Sequence, residues 1–458
     1  VSTTDPANAA AVFKAYDVRG VVPDQIDEHL ARRTGAAFVS VVGADTVVVG
    51  HDMRPSSPEL AGAFAAGAAD AGADVVMIGL ASTDQLYFAS GHLDHPGAMF
   101  TASHNPAAYN GIKMCRAGAQ PIGSDTGLAD IRDAVSGPEP EPAARPGRIS
   151  QRDVLDAYAA HLLSLAPVNG RRLKVVVDAG NGMAGLTAPV VFERLGDGVE
   201  LVAMYFELDG TFPNHEANPI EPENLVDLQK RVVSENADLG LAFDGDADRC
   251  FVVDELGRAV PPSSLTSLIA ARELAKEPGA SVIYNLITSR AVPELVRELG
   301  GTPVRTRVGH SYIKARMAET DAVFGGEHSG HFYFRDFWRA DSGMLAALHT
   351  LAALAETDRP LSSVLDEYER YRLSGEINSV VDEPAATLAA VEAAYSDTPG
   401  ASVDHLDGLT VTTTDWWFNV RPSNTEPLLR LNVEGADDAT MTRVRDDVLD
   451  LIRSTHEP

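Results

Sequence analysis

The feature that most constrains this chain is a pattern that occurs three times along it. Thr46-Val47-Val48-Val49-Gly50, Lys174-Val175-Val176-Val177-Asp178 and Ser281-Val282-Ile283-Tyr284-Asn285 are short runs rich in β-branched residues, each closed by Gly, Asp or Asn. A helical stretch and a second such run follow each one, over 74–78, 199–205 and 302–307. A third run then ends in a polar loop. Met99-Phe100 leads into Ser103, Leu239 to Phe243 into Asp244, and Ala322-Val323-Phe324 into Gly325. Apolar runs bounded by turn residues and separated by helical patterns are the signature of buried parallel strands with covering helices. Three α/β units are therefore expected, each presenting one loop at the carboxyl end of a strand, where open α/β sheets bind ligands.

A chain of 458 residues exceeds what one core supports, so boundaries are expected. Gly137-Pro138-Glu139-Pro140-Glu141-Pro142, continuing to Pro146-Gly147, is too rich in proline for a helix or central strand and reads as a linker. A softer boundary lies near Leu256-Gly257, before Pro261-Pro262 and a helix capped by Ser263 or Ser264. A helix from Leu361 to Tyr371 closes the third unit. Beyond it come runs over 408–414, 416–420 and 428–433 and a final helix over 439–452, which is α+β material. The expected domains are residues 1–138, 150–255, 256–371 and 372–458.

Charge narrows the partners. With 37 basic against 66 acidic residues the net charge is -29, which repels phosphate backbones and anionic membranes, so neither a nucleic-acid nor a membrane partner is expected. An anionic substrate needs a local cluster of Arg and Lys. Two cysteines, Cys115 and Cys250, are too few for a disulfide framework or a thiolate metal site and suit a reducing compartment. The N-terminal stretch lacks a basic region followed by an apolar core, and no run approaches the ~18 apolar residues of a membrane span, so a cytoplasmic protein is expected.

Four loops carry chemistry. Thr101-Ala102-Ser103-His104-Asn105-Pro106 delivers a serine into a polar turn, with Lys113 ten residues on. Read as a phosphoryl carrier, Ser103 needs a base and a cationic partner elsewhere; read blandly, the stretch is a turn. Phe243-Asp244-Gly245-Asp246-Ala247-Asp248-Arg249-Cys250 sets three carboxylates at alternate positions, able to converge on one hard divalent cation, magnesium where phosphate is also a ligand. A calcium loop with Glu255 at its twelfth position competes, but Arg249 stands where such a loop needs glycine, and the flanks read as strands. A cation beside the metal is costly unless an anionic ligand lies between them, so Arg249 implies one. Gly325-Gly326-Glu327-His328-Ser329-Gly330-His331 combines glycines with donors and acceptors that suit a polyhydroxylated sugar, or is a Gly-rich turn. Arg421-Pro422-Ser423-Asn424-Thr425-Glu426-Pro427, followed by Arg430, is the local basic cluster an anion demands, or a turn with a surface ion pair. Lys14-Ala15-Tyr16-Asp17-Val18-Arg19-Gly20 is a weaker candidate, with Arg19 facing the same anion.

These motifs, in this order, resemble those of the α-D-phosphohexomutase family, most of all its bacterial phosphomannomutase/phosphoglucomutase members, over essentially the whole chain. The resemblance implies three consecutive α/β domains with mixed sheets and a smaller C-terminal α+β domain around a central active-site cleft. It implies phosphoryl transfer between hexose 1-phosphate and hexose 6-phosphate, mannose or glucose, through phosphoserine at Ser103 and a hexose 1,6-bisphosphate intermediate that also serves as activator. By the same resemblance Ser103, Asp244, Asp246 and Asp248 hold Mg2+. Arg249, Lys113, His331 and Arg19 are expected to be catalytic. Tyr16, His310, Glu327, Ser329, Arg421, Ser423, Asn424, Thr425 and Arg430 are expected to bind substrate. The partners are hexose phosphates, and the protein is a monomer or homodimer. The alternatives are a phosphoglucosamine mutase, disfavoured by Asn424 where that branch has glycine, a non-catalytic sugar-phosphate sensor and a magnesium-dependent phosphatase. Two departures stand out: Ile287 occupies a position where relatives often carry lysine, a phosphate contact that Arg290 would have to replace, and His328 has no assigned effect.

Overall fold

The computed structural model describes residues 3–422 and 428–454, the side chains of His310 and Ser454 excepted. Among these, the three expected units form three sheets with one common plan. In the second, strand Leu173–Asp178 lies between the parallel strands Val199–Met204 and Leu239–Phe243, and Cys250–Asp254 returns antiparallel to the last. The first unit sets Thr46–His51 between Asp74–Leu80 and Gly97–Phe100, with Tyr109–Arg116 returning. The third sets Ser281–Asn285 between Thr302–Thr306 and Phe324–Gly326, with Phe332–Phe334 returning. Each functional loop is thus the hairpin joining the third strand of its unit to the fourth.

Burial explains why these runs are strands. Gly97–Phe100, Leu239–Phe243 and Cys250–Asp254 are buried at every position, as continuous apolar runs covered on both faces must be. One apolar cluster joins all three units, including Leu86, Phe88 and Met99 of the first, Tyr158 and Val175 of the second, and Phe324 and Leu348 of the third. Helix Gly343–Ala355 runs through it, hydrophobic on nearly all sides and capped by Ser342, whose Oγ accepts from the Leu345 amide at 3.0 Å.

The fourth domain is an antiparallel sheet in the order Arg372–Val380, Leu428–Gly435, Trp416–Pro422, Leu409–Thr412, Ser402–Asp404. Helices Pro384–Tyr395 and Asp438–Ser454 contribute Val391, Val444, Val448 and Ile452 to a core of its own, against Val420, Leu429, Leu431 and Val433.

Several local expectations fail for tertiary reasons. Strand Ile149–Gln151 lies across the start of the second domain as drawn from the sequence, yet pairs with Asp74–Leu80 of the first sheet. Helix Pro262–Lys276 has Pro261 at its cap, while Ser263 and Ser264 sit buried in its first turn and the Ser263 Oγ accepts from the Ser289 amide at 3.1 Å. The helix expected to reach Tyr371 stops at Leu365, because Arg370 and Tyr371 are drawn to Glu298 and Glu294 of helix Ala291–Glu298. The third unit's short strand begins at Phe324 and runs through both glycines. At Gly326 a Cβ would lie 2.4 Å from Thr266 Oγ1, so glycine lets helix Pro262–Lys276 pack onto the strand.

Candidate active site

Ser103 stands at the tip of the first hairpin, 5 % exposed, with φ of 49°. A non-glycine residue in that left-handed region is held there by its surroundings at some cost. The main holder is Arg54, which sequence reasoning missed. Its guanidinium, fully buried, donates to the carbonyl oxygens of Ser103 (2.9 Å), Asn105 (2.7 Å), Pro106 (2.8 Å) and Tyr109 (3.0 Å), and its Nε donates to Asp52 (3.2 Å). The available signal was Asp52-Met53-Arg54, two charges placed directly behind a buried strand. Arg19, expected to face the anion, braces the same loop by donating to the Ala102 carbonyl at 3.0 Å and to the side chains of Asn105 and Asp17.

The second hairpin meets the first at Ser103. The serine Oγ donates to Asp244 Oδ2 at 2.7 Å; Arg249 Nε donates to the same oxygen at 2.9 Å and its Nη2 lies 3.4 Å from the serine Oγ. His104 Nδ1 is 3.2 Å from that Oγ, and the Arg249 charge together with burial holds this imidazole well below its usual pKa. Glycine is obligatory at 245, where a Cβ would lie 2.4 Å from the Ser103 carbonyl oxygen. Lys113 Nζ reaches Asp246 Oδ2 at 2.7 Å and also Asp248 Oδ2. Burial alone would lower the Lys113 ammonium, but Asp246, Asp248 and Asp341 outweigh it and hold its pKa raised. Thr83, also missed, donates from its hydroxyl to Asp246 Oδ2 at 2.6 Å and from its amide to the Asp246 carbonyl at 2.9 Å.

Asp244, Asp246 and Asp248 each offer an oxygen within 4.8 Å of the others. Burial pushes the Asp244 carboxyl up to about 7, with the two neighbouring carboxylates adding to the rise against Arg249. Asp246 Oδ1 and Asp248 Oδ1 are buried without a hydrogen-bond partner among the described residues. Crowded carboxylates with orphaned oxygens fit a hard divalent cation. The calcium-loop alternative fails, since the loop joins two antiparallel strands and Glu255 bonds Ser362 instead.

The third hairpin is tied to the second by a bridge between Arg249 and His331 and by the Cys250 amide, which donates to the Gly330 carbonyl at 3.1 Å. His331 Nε2 lies 3.5 Å from Asp248 Oδ1, and its Nδ1 is 2.9 Å from the Ser329 hydroxyl. Burial opposes protonation of His331, but Asp248 and Asp341 prevail and raise its pKa. Glu327 is buried, accepting from the Gly309 amide at 3.1 Å, from Asn285 at 3.4 Å and from the Tyr333 hydroxyl at 2.7 Å. Lys113, Asp248, His331, Lys314, Asp341 and Tyr16 border a cavity of about 40 Å³. Tyr16 approaches the third unit edge-on to Tyr312, and burial with the Tyr312 contact pushes its hydroxyl up to about 12. His310 opens helix His310–Thr320 next to Gly309.

In the fourth domain Arg421 and Arg430 face each other across neighbouring strands and both contact Glu376. Ser423, Asn424 and Thr425, expected to bind substrate, lie outside the described residues. Arg290, the residue that would have to replace that lysine, is engaged within the protein. It pairs with Glu434 at 3.0 Å, donates to the Thr414 carbonyl at 2.7 Å and stacks on Tyr371 at 4.3 Å. Ile287 is buried with Leu286 against Trp417 of the fourth domain. His328, beside Glu376 and Arg421, has its pKa lowered by burial.

A buried serine hydroxyl beside an arginine and a carboxylate triad, with a lysine and a histidine across a small cavity, is the equipment of an enzyme that transfers phosphoryl groups. Comparison with known proteins shows its family. The four family models for phosphoglucomutase/phosphomannomutase match in order: α/β/α domain I over residues 10–139, domain II over 156–257, domain III over 261–371 and the C-terminal domain over 376–451. A phosphomannomutase of Salmonella montevideo is 42 % identical, the match covering 98 % of this chain and 100 % of that one. The phosphomannomutase of Escherichia coli K12 is 41 % identical over 94 % of this chain and 96 % of its own. The crystal structure of a phosphoglucomutase/phosphomannomutase family protein from Burkholderia thailandensis superposes with a TM-score of 0.89 at 35 % identity, covering 99 % of this chain and 98 % of that one. The chain belongs to the phosphoglucomutase/phosphomannomutase family and is a phosphohexomutase, an isomerase. Among the described residues no helix is long and apolar enough to cross a membrane.

Proposed function

We propose that this enzyme interconverts hexose 1-phosphates and hexose 6-phosphates, with mannose and glucose as substrates, through a phosphorylated Ser103 and a hexose 1,6-bisphosphate that also primes the enzyme. In the first half-reaction the phosphorus–Oγ bond of phosphoserine breaks and a bond to the free sugar hydroxyl forms. The hydroxyl proton passes to His331 in its neutral form, and Lys113, kept an ammonium by the carboxylates around it, acts as the acid partner; both border the cavity beside Asp248. The bisphosphate then turns and returns its other phosphoryl group to Ser103; the bond from that phosphorus to the sugar oxygen breaks, the oxygen regains the proton, and hexose 6-phosphate is released. Arg249, within 3.4 Å of the serine Oγ, stabilises charge on the transferring group. Asp244, Asp246 and Asp248, with Ser103, would hold Mg2+, which when bound supplies further charge stabilisation. Glu327 and Ser329 are assigned to the sugar hydroxyls, with Tyr16 and His310 as further substrate contacts. Arg421, Ser423, Asn424, Thr425 and Arg430 are assigned to the non-reacting phosphate. Arg19 supports the reaction by fixing the serine loop.

The observation that carries this reading is the Ser103 hydroxyl, 2.7 Å from Asp244, beside buried carboxylate oxygens that lack hydrogen-bond partners among the described residues. The test is conversion of glucose 1-phosphate and mannose 1-phosphate with Mg2+ and a trace of hexose 1,6-bisphosphate, for the native enzyme and for Ser103→Ala. Turnover of both sugars, lost in the variant, is expected. No turnover by the native enzyme, or turnover that survives in the variant, overturns the reading.

A further inference from the structure

Arg421 of strand Trp416–Pro422 and Arg430 of strand Leu428–Gly435 are direct cross-strand partners. Like charges in that position repel, and with Arg421 only 8 % exposed, solvent screens little of the repulsion. A third strand supplies the remedy. Glu376 of Arg372–Val380 enters where the register with Leu428–Gly435 shifts, between Leu373 and Glu376. Its Oε2 accepts from Arg421 Nη2 at 2.7 Å and its Oε1 lies 3.3 Å from Arg430 Nη1, with Asn432 Nδ2 3.5 Å from Oε2. Even so, the Nε of each arginine is buried without a hydrogen-bond partner among the described residues, so Glu376 alone does not saturate the pair.

We propose that Glu376 is a resident carboxylate standing in for the substrate phosphate on Arg421 and Arg430, the competitor against which that phosphate must bind. The proposal rests on the reading above that these arginines take the non-reacting phosphate. Two guanidiniums and one carboxylate leave a net charge of +1 to meet a dianion, rather than +2. Glu376 therefore stabilises the empty domain, where the arginines would otherwise repel each other, and weakens the grip on ligand. A weakened grip serves the chemistry, because the bisphosphate must leave this subsite and return with its other phosphate in place.

The test compares native protein with Glu376→Gln, measuring binding of inorganic phosphate by calorimetry and the thermal midpoint, with turnover followed alongside. The amide should bind phosphate roughly five- to tenfold more tightly while melting lower without ligand. Adding Arg421→Gln to that variant should abolish the gain, locating it at this subsite. A carboxylate that only braces the arginines would give the lower midpoint with weaker binding, and unchanged or weaker binding by Glu376→Gln overturns the proposal. Glu376→Asp keeps the charge but is one methylene shorter. It should gain less than the amide, and it decides the question if the amide variant does not fold. Turnover by the native enzyme without tightening sinks the Glu376 proposal alone. Tightening in a protein that turns over neither sugar sinks the mannose and glucose assignment and leaves the competitor in place.

Discussion

Replacing Arg54 by lysine tests whether the serine loop is shaped from beneath. The guanidinium makes five hydrogen bonds, four of them to carbonyls of residues 103–109. An ammonium has three donors on one atom, so at least two bonds are lost and the rest are strained. At about 1.5–3 kcal/mol for each hydrogen bond from a charged donor, the loss is about 4 kcal/mol. Burial pushes Asp52 up and Arg54 down in pKa, and their mutual attraction only partly offsets this, so the worth of Arg54 lies chiefly in the carbonyls it satisfies. Released from them, Ser103 is expected to relax from its left-handed φ of 49° and carry its Oγ away from Asp244. A displacement on the order of 1 Å costs about a hundredfold in rate. Urea unfolding and steady-state kinetics on glucose 1-phosphate should therefore show a lower midpoint and a kcat reduced about a hundredfold, with KM little changed. A lower midpoint with kcat preserved would mean the loop keeps its shape without Arg54. A raised KM at constant kcat would mean that Arg54 acts on substrate instead.

Two further outcomes are expected. Asp84 accepts from Ser82, from Tyr158 at 2.6 Å and from Ser342 at 2.6 Å, residues of three different units, and burial pushes it up to about 6. A carboxyl with a raised folded pKa binds more protons when folded, so stability should fall as pH rises from about 4 to 6, by about 3 kcal/mol in total; Asp84→Asn should flatten that slope in thermal midpoints, and an unchanged slope would refute the assignment. Magnesium should raise the thermal midpoint of the native protein and a chelator should reverse the rise and stop turnover, whereas Asp246→Asn should abolish the shift; a shift that survives in the variant would put the cation elsewhere.

Loops were legible where their chemistry is contiguous. Asp244, Asp246 and Asp248 lie within five residues, and the polar run around Ser103 directly follows a buried strand, so residue type and position sufficed. The three-unit plan was legible for the same reason, since buried strands cannot disguise their apolar runs. What escaped notice is held by distant partners. Arg54 meets carbonyls about fifty residues on, and Thr83 meets Asp246 across 163 positions. Glu376 reaches Arg421 across 45 positions, and only the pairing of three strands brings it there. The helix end at Leu365 escaped because the residues beyond it have adequate helical propensity and are pulled away by Glu294 and Glu298. Arg19 was expected to face an anion, but what it braces depends on where the serine loop turns.

The single apolar cluster through the first three units also bears on motion. Separating any two of those units would expose hydrocarbon to water at ~25 cal/mol per Å², a steep price on millisecond excursions. The fourth domain has its own core and meets the third through an apolar patch at Leu286, Ile287 and Trp417 and through polar contacts that include Arg290 with Glu434, Arg305 with Asp404 and the Val308 amide with Asp407. Moving it would expose that patch alone, far less hydrocarbon than separating the first three units, and would break a handful of polar ties. Ile287, buried in that patch against Trp417, is thus one of the residues that set how firmly the fourth domain is held.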